Sequence, residues 1–209
     1  MVTDKIQIDS QGMGIEDALR EVERFCAYSQ LNAAQSLHMR LLAEETISLL
    51  RELTYDFTGE CWASKEGQEC RIHVEGRALM TDERRWELMN VSSTGNNVLA
   101  KGVLGKIAAF FDLGLSSAAY TPGASETMDY GMMSLQLAFA ADATATGGAM
   151  WSLSQYRKKV KEAYNEGAAA VSEAWDELQK SIIANVADDV QVGILGGKVH
   201  MTVSKHFEI

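Results

Sequence analysis

The chain has 209 residues, a formal net charge of -10 and only 19 lysines and arginines. Nucleic-acid binding needs clustered basic residues, so this charge balance predicts that nucleic acid is not a partner. Hydrophobic residues make up 46% and charged residues 23%, which is typical of a folded globular domain and excludes global disorder. The length predicts a single domain over 1–209, with an insertion at about 107–167.

The N-terminal segment MVTDKIQIDS lacks the apolar core of a signal peptide, and no run reaches the roughly 18 apolar residues of a membrane-spanning helix. We therefore expect a cytoplasmic protein with no membrane role. Cys26, Cys61 and Cys70 lack the two-residue spacing of metal or redox motifs, so they are interpreted as reduced structural thiols. The histidines show no metal-ligand spacing either, and no metal site is predicted.

A short strand and two helices are predicted at the start of the chain. Ile6 and Ile8 flank a polar residue, as in an edge strand. From Ile15 to about Gln30, apolar residues recur at helical spacing, which predicts the first helix. The strongest helical pattern in the chain spans 33–54 and predicts the second.

The helix over 33–54 has one broad apolar arc. The arc comprises Met39, Leu42, Ala43, Thr46, Ile47, Leu49, Leu50 and Leu53. At about 100° per residue, Glu45 lies at the border of this arc, whereas Glu44 points away from it. Glu45 is therefore the carboxylate that could reach a pocket at the edge of the core.

Residues 57–76 predict an antiparallel hairpin with Glu66-Gly67 as its two-residue turn. One face of this register is wholly apolar or small, so it is expected to pack on the core. The predicted pairs on that face are Cys61 with Ile72, Ala63 with Cys70 and Gly59 with Val74. On the other face, the predicted pairs are Trp62 with Arg71 and Glu60 with His73.

The middle of the chain combines a predicted helix, a polar loop and a charge-poor region. Thr81 caps a helix over 81–89, and the polar segment 91–97 leads into a helical stripe that reaches Phe111. From 107 to 156 the chain has no Lys, Arg or His, which favours an insertion. Residues 133–141 fit a strand and a buried helix equally. Ala, Met and Gly are abundant in 115–150, so we expect its surface to be covered by the rest of the chain or by a second copy.

Two helices and a hairpin are predicted at the C-terminal end. Apolar seams indicate helices over 152–165 and 171–186, the second ending at Ala187. A Gly196-Gly197 turn predicts the pairs Ile194 with Val199, Val192 with Met201 and Val190 with Val203. The element order predicts an α/β (α+β) two-layer sandwich, in which a mixed, mainly antiparallel sheet contains both hairpins and carries helices on one face.

Three passages resemble the GHKL family, the ATP-binding fold shared by histidine-kinase catalytic domains, gyrase-type ATPases and anti-sigma-factor kinases. LLAEETISLLREL resembles the N box helix, which carries two acids at its middle. CRIHVEG resembles the strand that leads into the adenine-binding box. SIIANVADDVQVGILGGKVHMTVSKHF resembles the closing helix and hairpin, including the acidic pair and the Gly-Gly-Lys turn. The resemblance implies ATP and magnesium as cofactors.

The resemblance also implies site residues. Glu45 would be the general base, although an ordinary border carboxylate is an equal alternative. The nucleotide-binding residues would be Glu75, Gly95, Asn96, Asn97, Gly102, Gly105 and Lys106. The chain departs from the family in two places. Leu49 stands where the family holds magnesium with Asn, and Glu75 followed by Gly76 replaces the adenine-binding Asp and its glycines.

Together, the matches and the departures predict a regulatory or signalling protein with a degenerate nucleotide site. Such a protein would act through a protein partner or a homodimer and would have little or no ATPase or kinase activity. One alternative is an active ATPase or serine kinase of the anti-sigma-factor type that uses Glu45 as its base. The other is a structural oligomerisation module built on the charge-poor insertion.

Overall fold

The computed structural model describes residues 1–54, 56–79, 149–165, 181–195 and 198–208. Its elements, in chain order, are β1 (Ile6–Asp9), α1 (Ile15–Tyr28), α2 (Ala33–Leu53), β2 (Asp56–Glu66), β3 (Glu69–Leu79), β4 (Ala149–Ser152), α3 (Leu153–Asn165), α4 (Ile182–Val186), β5 (Asp189–Leu195) and β6 (Lys198–His206). The predictions for 81–89, 91–111, 115–148 and 171–180 lie outside the described residues.

The six strands form one sheet in the order β1-β2-β3-β6-β5-β4. Every pairing between these described strands is antiparallel, so they include no parallel component of the predicted mixed sheet. The prediction that both hairpins belong to one sheet is confirmed, because β3 of the first hairpin pairs with β6 of the second. β4 and α3 fall within the predicted insertion, and they supply an edge strand and a core helix.

The helices pack on one face of the sheet. That face carries alternate strand residues that are almost fully buried: Ile8, Cys61, Ala63, Ile72, Val74, Trp151, Val190, Val192, Met201 and Val203. These residues belong to one hydrophobic core that includes a residue from each described helix: Phe25, Leu42, Tyr156 and Ile183. The predicted two-layer α/β arrangement is therefore confirmed for the described part of the chain.

α2 forms where the periodicity predicts it, because its start is capped and its apolar arc is buried. The Asn32 side chain accepts a hydrogen bond from the Gln35 backbone N–H at 3.0 Å, and the Gln35 side chain accepts one from the Asn32 N–H at 2.9 Å. This reciprocal capping box satisfies two backbone donors that the first helical turn leaves unpaired. Leu49 and Thr46 are buried, and the Thr46 hydroxyl donates to the Leu42 carbonyl at 2.6 Å.

The predicted register of the first hairpin is wrong by two residues. The two turn residues are Gly67 and Gln68, and β2 pairs Cys61 with Val74 and Ala63 with Ile72. Gly67 has a φ of +60°, which glycine adopts without a steric penalty at the first central position of a tight turn. A shift of two keeps every side chain on its predicted face, since side chains alternate with period two.

The second hairpin has the predicted register throughout. β5 and β6 pair Ile194 with Val199, Val192 with Met201 and Val190 with Val203. All six of these side chains are buried on the helix-covered face. Gly196 and Gly197 themselves lie outside the described residues. The alternation of apolar residues on both sides of them predicts this part of the core from the sequence alone.

Of the helix predicted over 171–186, the described part is α4. Ser181 has an extended backbone with a φ of -76° and a ψ of 122°, and its side chain caps α4 by accepting from the Ala184 N–H at 3.3 Å. α4 therefore begins at Ile182. The predicted end at Ala187 is confirmed. The Arg157 guanidinium of α3 donates to the carbonyl oxygens of Ala184, of Ala187 at 3.2 Å and of Asp188 at 2.9 Å, which satisfies the last carbonyls of α4.

A glycine pair sits beneath the Phe57 ring at one end of the sheet. Gly59 of β2 lies directly opposite Gly76 of β3. A Cβ added at Gly76 would lie 2.4 Å from the Thr58 carbonyl oxygen, 2.6 Å from the Gly59 Cα and 2.8 Å from the Phe57 ring. The two backbones and the ring therefore fill the space that a side chain would need.

We expect Gly76→Ala to lower the free energy of unfolding by about 1–3 kcal/mol, the usual cost of overpacking a well-packed site. Two of the three atoms that its Cβ would meet belong to backbone, which cannot move aside cheaply. Urea unfolding measures the change. Thr58→Ala, an exposed neighbour on the opposite face, is the matched control and should shift stability little. Equal stability of the two variants would contradict this packing.

Candidate functional site on the open face of the sheet

The structure does not bring the two predicted carboxylates to one site. Glu45 is a half-buried residue of α2, in the helical layer. Glu75 of β3 alternates with buried Val74, so it points away from that layer, and its Oε2 lies 3.9 Å from His200 Nδ1. The sheet therefore stands between Glu45 and Glu75. The remaining predicted nucleotide-binding residues, Gly95, Asn96, Asn97, Gly102, Gly105 and Lys106, lie outside the described residues.

Two further positions of the resemblance have structural roles. Leu49 is 3% exposed and belongs to the hydrophobic core. The acidic pair before β5 also serves the fold. Asp188 accepts from Lys205 Nζ at 2.9 Å, and Asp189 accepts from the Ser154 backbone N–H at 2.8 Å at the start of α3. The match to the family at these acids therefore reflects capping and pairing within the described residues.

The face of the sheet opposite the helices is the second candidate site, and we call it the open face. It is formed by Lys5, Glu60, Trp62, Ser64, Arg71, His73, Glu75, His200 and Thr202. These residues are half-buried or exposed, and they alternate along their strands with the core residues. None of the helices among the described residues packs on this face.

A row of stacked side chains crosses the open face. Trp62 of β2 lies directly opposite His73 of β3, and their rings are stacked with centroids 5.0 Å apart and an angle of 13° between planes. On the β1 side, Lys5 Nζ lies 4.2 Å from the centroid of the Trp62 ring. A cation over an indole face is favourable because the ring carries negative charge density there. Both faces of the Trp62 ring are therefore occupied.

A hydrogen-bonded chain continues from this row across β3 and β6. Ser64 Oγ lies 2.8 Å from His73 Nε2, and His73 Nδ1 lies 3.1 Å from Thr202 Oγ1. Thr202 Oγ1 in turn lies 3.0 Å from His200 Nε2. Both ring nitrogens of His73 therefore have a hydrogen-bond partner. These two contacts and the stacking together fix the orientation of the ring.

Charges on the open face are paired locally. Glu60 lies directly opposite Glu75, an unfavourable pairing of like charges on adjacent strands. Glu60 is compensated by Lys5 Nζ at 3.0 Å and by Gln7 Nε2 at 2.7 Å. Arg71 is held by Glu66 at 3.2 Å and by Glu69. The face is therefore mixed in charge, with no dominant sign.

His73 is the titratable group that this environment changes most on the open face. Burial, with smaller contributions from His200, Arg71 and Lys5, lowers its pKa from 6.5 to about 4. His73 is consequently neutral at physiological pH. Its neutral ring has one nitrogen that donates and one that accepts, which suits its two hydroxyl partners.

The cysteines are free and buried, as predicted. Burial raises the pKa of Cys26 to about 11 and that of Cys61 to about 12. Thiols with such pKa values are poor nucleophiles at neutral pH, since the thiolate is the reactive form. The cysteines are therefore part of the core and not of a reactive site.

In the part of the chain that the structure describes, no group of three His, Cys, Asp or Glu side chains is placed to hold a metal ion. None of the helices in the described ranges is long and apolar enough to cross a membrane. No protein-family model, curated protein or solved structure matches this chain.

Sequence reasoning missed Ser64, Thr202 and Lys5 as parts of a site. Periodicity places Ser64 on the same face as Trp62, but the predicted register puts Arg71 opposite Trp62 instead of His73. The correct register follows if Gly67, and not Glu66, is placed at the first central position of the turn, where glycine is favoured. Thr202 joins His73 only through the β3-β6 pairing, which local patterns do not specify.

Lowering the pH should destabilise the protein through His73. Its pKa is 6.5 in the unfolded chain and about 4 in the folded protein, so the unfolded state binds more protons between these values. Its contribution to stability is therefore fully present above pH 6.5 and is lost as the pH falls toward 4. Each pKa unit is worth about 1.4 kcal/mol, and solvent screening of a half-buried group leaves a loss of roughly 2 kcal/mol.

Urea unfolding at neutral pH and near pH 4 measures this loss. His73→Gln should reduce the pH dependence by that amount, whatever its own stability at neutral pH. His38→Gln, which changes an exposed histidine on α2, should leave the pH dependence unchanged. The same pH dependence in wild type and His73→Gln would contradict the role of His73.

We expect no release of phosphate from magnesium-ATP above background. Leu49 offers no oxygen to a metal ion, and Glu45 and Glu75 lie on opposite sides of the sheet. A general base alone contributes only about 10²- to 10⁴-fold, and only with its partner groups in place. A colorimetric phosphate assay tests this. A clear rate that Glu45→Gln abolishes would instead support the ATPase or serine kinase.

Proposed function

We propose that this protein is a non-enzymatic regulatory protein that acts through a protein partner docked on the open face of its sheet. The observation that carries the proposal is the fixed row of Lys5, Trp62 and His73 on a face that no described helix covers. A solvated sheet face needs no such row for stability. Stacked and hydrogen-bonded side chains on it favour a surface prepared for contact.

The shape of this face favours a protein over a small molecule. Small-molecule sites are concave and enclose most of the ligand. The open face is the surface of a sheet, and Lys5 and His73 already occupy both sides of the Trp62 ring. Among the described residues, an open groove of about 490 Å³ lies between β1 and α1 and borders the open face only at its edge, at Lys5 and Gln7. Its arginines, Arg20 and Arg24, are paired with acids one helical turn away.

The residue types on the open face also favour a protein partner. Trp, Tyr and Arg are enriched among the residues that contribute most to protein-protein binding. Trp62 and Arg71 are both held in place by neighbours, Trp62 by stacking and Arg71 by two glutamates. Side chains that are already ordered lose less entropy on binding. The mixed charge of the face favours a partner with alternating charges over a strongly basic or acidic one.

A regulatory role is also what the resemblance to anti-sigma-type GHKL proteins supports, with the nucleotide site degenerate. The separation of Glu45 from Glu75 and the buried Leu49 support the loss of that site. Binding of ATP and magnesium would add a nucleotide-dependent step to the same role. A homodimer would make the second copy the partner on this face.

We expect Trp62→Ala to weaken partner binding by roughly 30-fold or more, because a central Trp typically contributes about 2 kcal/mol or more. We immobilise the wild-type protein and the variants Trp62→Ala and Tyr28→Ala. We then compare the proteins that each of them retains. Tyr28 is 71% exposed on α1, so it is a matched exposed aromatic outside the open face. The retained protein is then purified, and its Kd is measured for each variant.

A second variant separates binding from folding. Arg77→Glu changes an exposed residue of β3 on the same face, four residues along the strand from His73, which is paired with Trp62. It should also weaken the partner, whereas Tyr28→Ala should not. A partner that binds all the variants with the wild-type Kd would overturn the docking surface. Sedimentation of the purified protein shows whether the partner is a second copy.

A further inference from the structure

The hydrogen-bonded chain on the open face contains a serine placed against a histidine. Ser64 Oγ lies 2.8 Å from His73 Nε2, within the range of a hydroxyl-imidazole hydrogen bond. The His73 ring is fixed by stacking on Trp62 and by Thr202 at its other nitrogen. A nucleophile bonded to a base that a third group orients is the arrangement that activates a hydroxyl.

The tautomer of His73 decides which way its hydrogen bonds run. A neutral imidazole donates from one nitrogen and accepts at the other. With the hydrogen on Nδ1, His73 donates to Thr202 Oγ1, and Nε2 accepts from the Ser64 hydroxyl. Thr202 Oγ1 also lies 3.0 Å from His200 Nε2. Activation of Ser64 requires this tautomer of His73.

We propose that Ser64 is a nucleophilic modification site that takes an acyl group from small activated esters. The inference is independent of the partner-binding role, because it rests on the Ser64-His73-Thr202 geometry alone. His73 is the general base, and Thr202 is a positioning residue that acts through His73. The donor is a small ester with a good leaving group, since Ser64 lies on an accessible face and not in a deep pocket.

The acyl transfer to Ser64 includes one proton transfer to His73 and one from it. Ser64 Oγ forms a bond to the carbonyl carbon while its proton passes to His73 Nε2. The bond from that carbon to the leaving oxygen then breaks, and the leaving group takes the proton from His73. No oxidant, metal or second reactant is consumed. The products are O-acyl Ser64 and the free alcohol or phenol.

The surroundings of Ser64 favour a single acylation over repeated turnover. Arg71 is the residue directly opposite Ser64, but its guanidinium is already bound by Glu66 and Glu69. Strand N–H groups that form the sheet ladder do not converge on one point, as the donors of an oxyanion hole do. We therefore expect stoichiometric labelling, in which the acyl group stays on the serine.

The test is incubation of the full chain with p-nitrophenyl acetate, followed by peptide mapping of the acetylated residues. We expect Ser64 to be acetylated roughly 10-fold faster than Ser204, the other serine opposite Arg71. Ser64→Ala should remove the fast release of one equivalent of p-nitrophenolate, and Ser204→Ala should retain it. Mapping separates Ser64 from lysines and the amino terminus, which acetylate without activation.

The role of His73 is tested by two variants. His73→Gln should slow the labelling of Ser64 by roughly 10-fold, since it removes a base whose pKa of about 4 makes it weaker than a free imidazole. Thr202→Val should slow it less and alter its pH profile, because a valine leaves His73 Nδ1 without its oxygen partner. Thr202→Ser, which restores the hydroxyl, should restore the rate. Labelling of Ser64 no faster than that of Ser204, or unchanged in both His73→Gln and Thr202→Val, would overturn the proposal.

Discussion

The pairing of β3 with β6 is the contact on which the rest of the structure depends. It joins β1, β2 and β3 to β4, β5 and β6 through nine residue pairs, and its partners are far apart in sequence. On the helix-covered face it sets Val74 beside Met201 in the middle of the core. On the open face, the same pairing sets His73 beside Thr202. The core and the candidate site therefore depend on the same strand register, and a shift of that register would disrupt both.

The two halves of the sheet have the same order of elements, although the sequence shows no repeat. Each half begins with an edge strand, continues through helix and ends in a hairpin. The buried pairs correspond: Cys61 with Val74 resembles Val190 with Val203, and Ala63 with Ile72 resembles Val192 with Met201. The side chains at corresponding places differ in size, because each half packs under different helices. The two halves therefore share the order of elements and the strand pairing but not the residue types, so the amino-acid sequence shows no repeat.

Local patterns predict the described elements well and their long-range relations poorly. The apolar arc predicts α2, and a Gly-Gly turn specifies the register of the second hairpin. The predicted register of the first hairpin is shifted because the pattern allows Gly67 at either central turn position, and the strand pairing places it at the first. The apolar seam through Ile182 starts before Ser181 in the sequence, so periodicity alone does not reveal that Ser181 caps the start of α4. Resemblance and periodicity both favour Glu45, whereas the open-face chain depends on a pairing between His73 and Thr202, 129 residues apart.

The side chains of the open face are more constrained than folding requires. A solvent-facing strand position is well served by Thr or Lys, which need no fixed partners. Here a histidine is kept neutral by burial and nearby positive charges, so that it weakens the fold below neutral pH. Its two nitrogens nevertheless have partners, and within the described part of the chain every buried side-chain nitrogen or oxygen is hydrogen-bonded. Local arrangements that lower stability persist mainly where function needs them. The ordered chain from Ser64 to His200 is therefore the reason that we place the proposed partner site on the open face and not at the helix that carries Glu45.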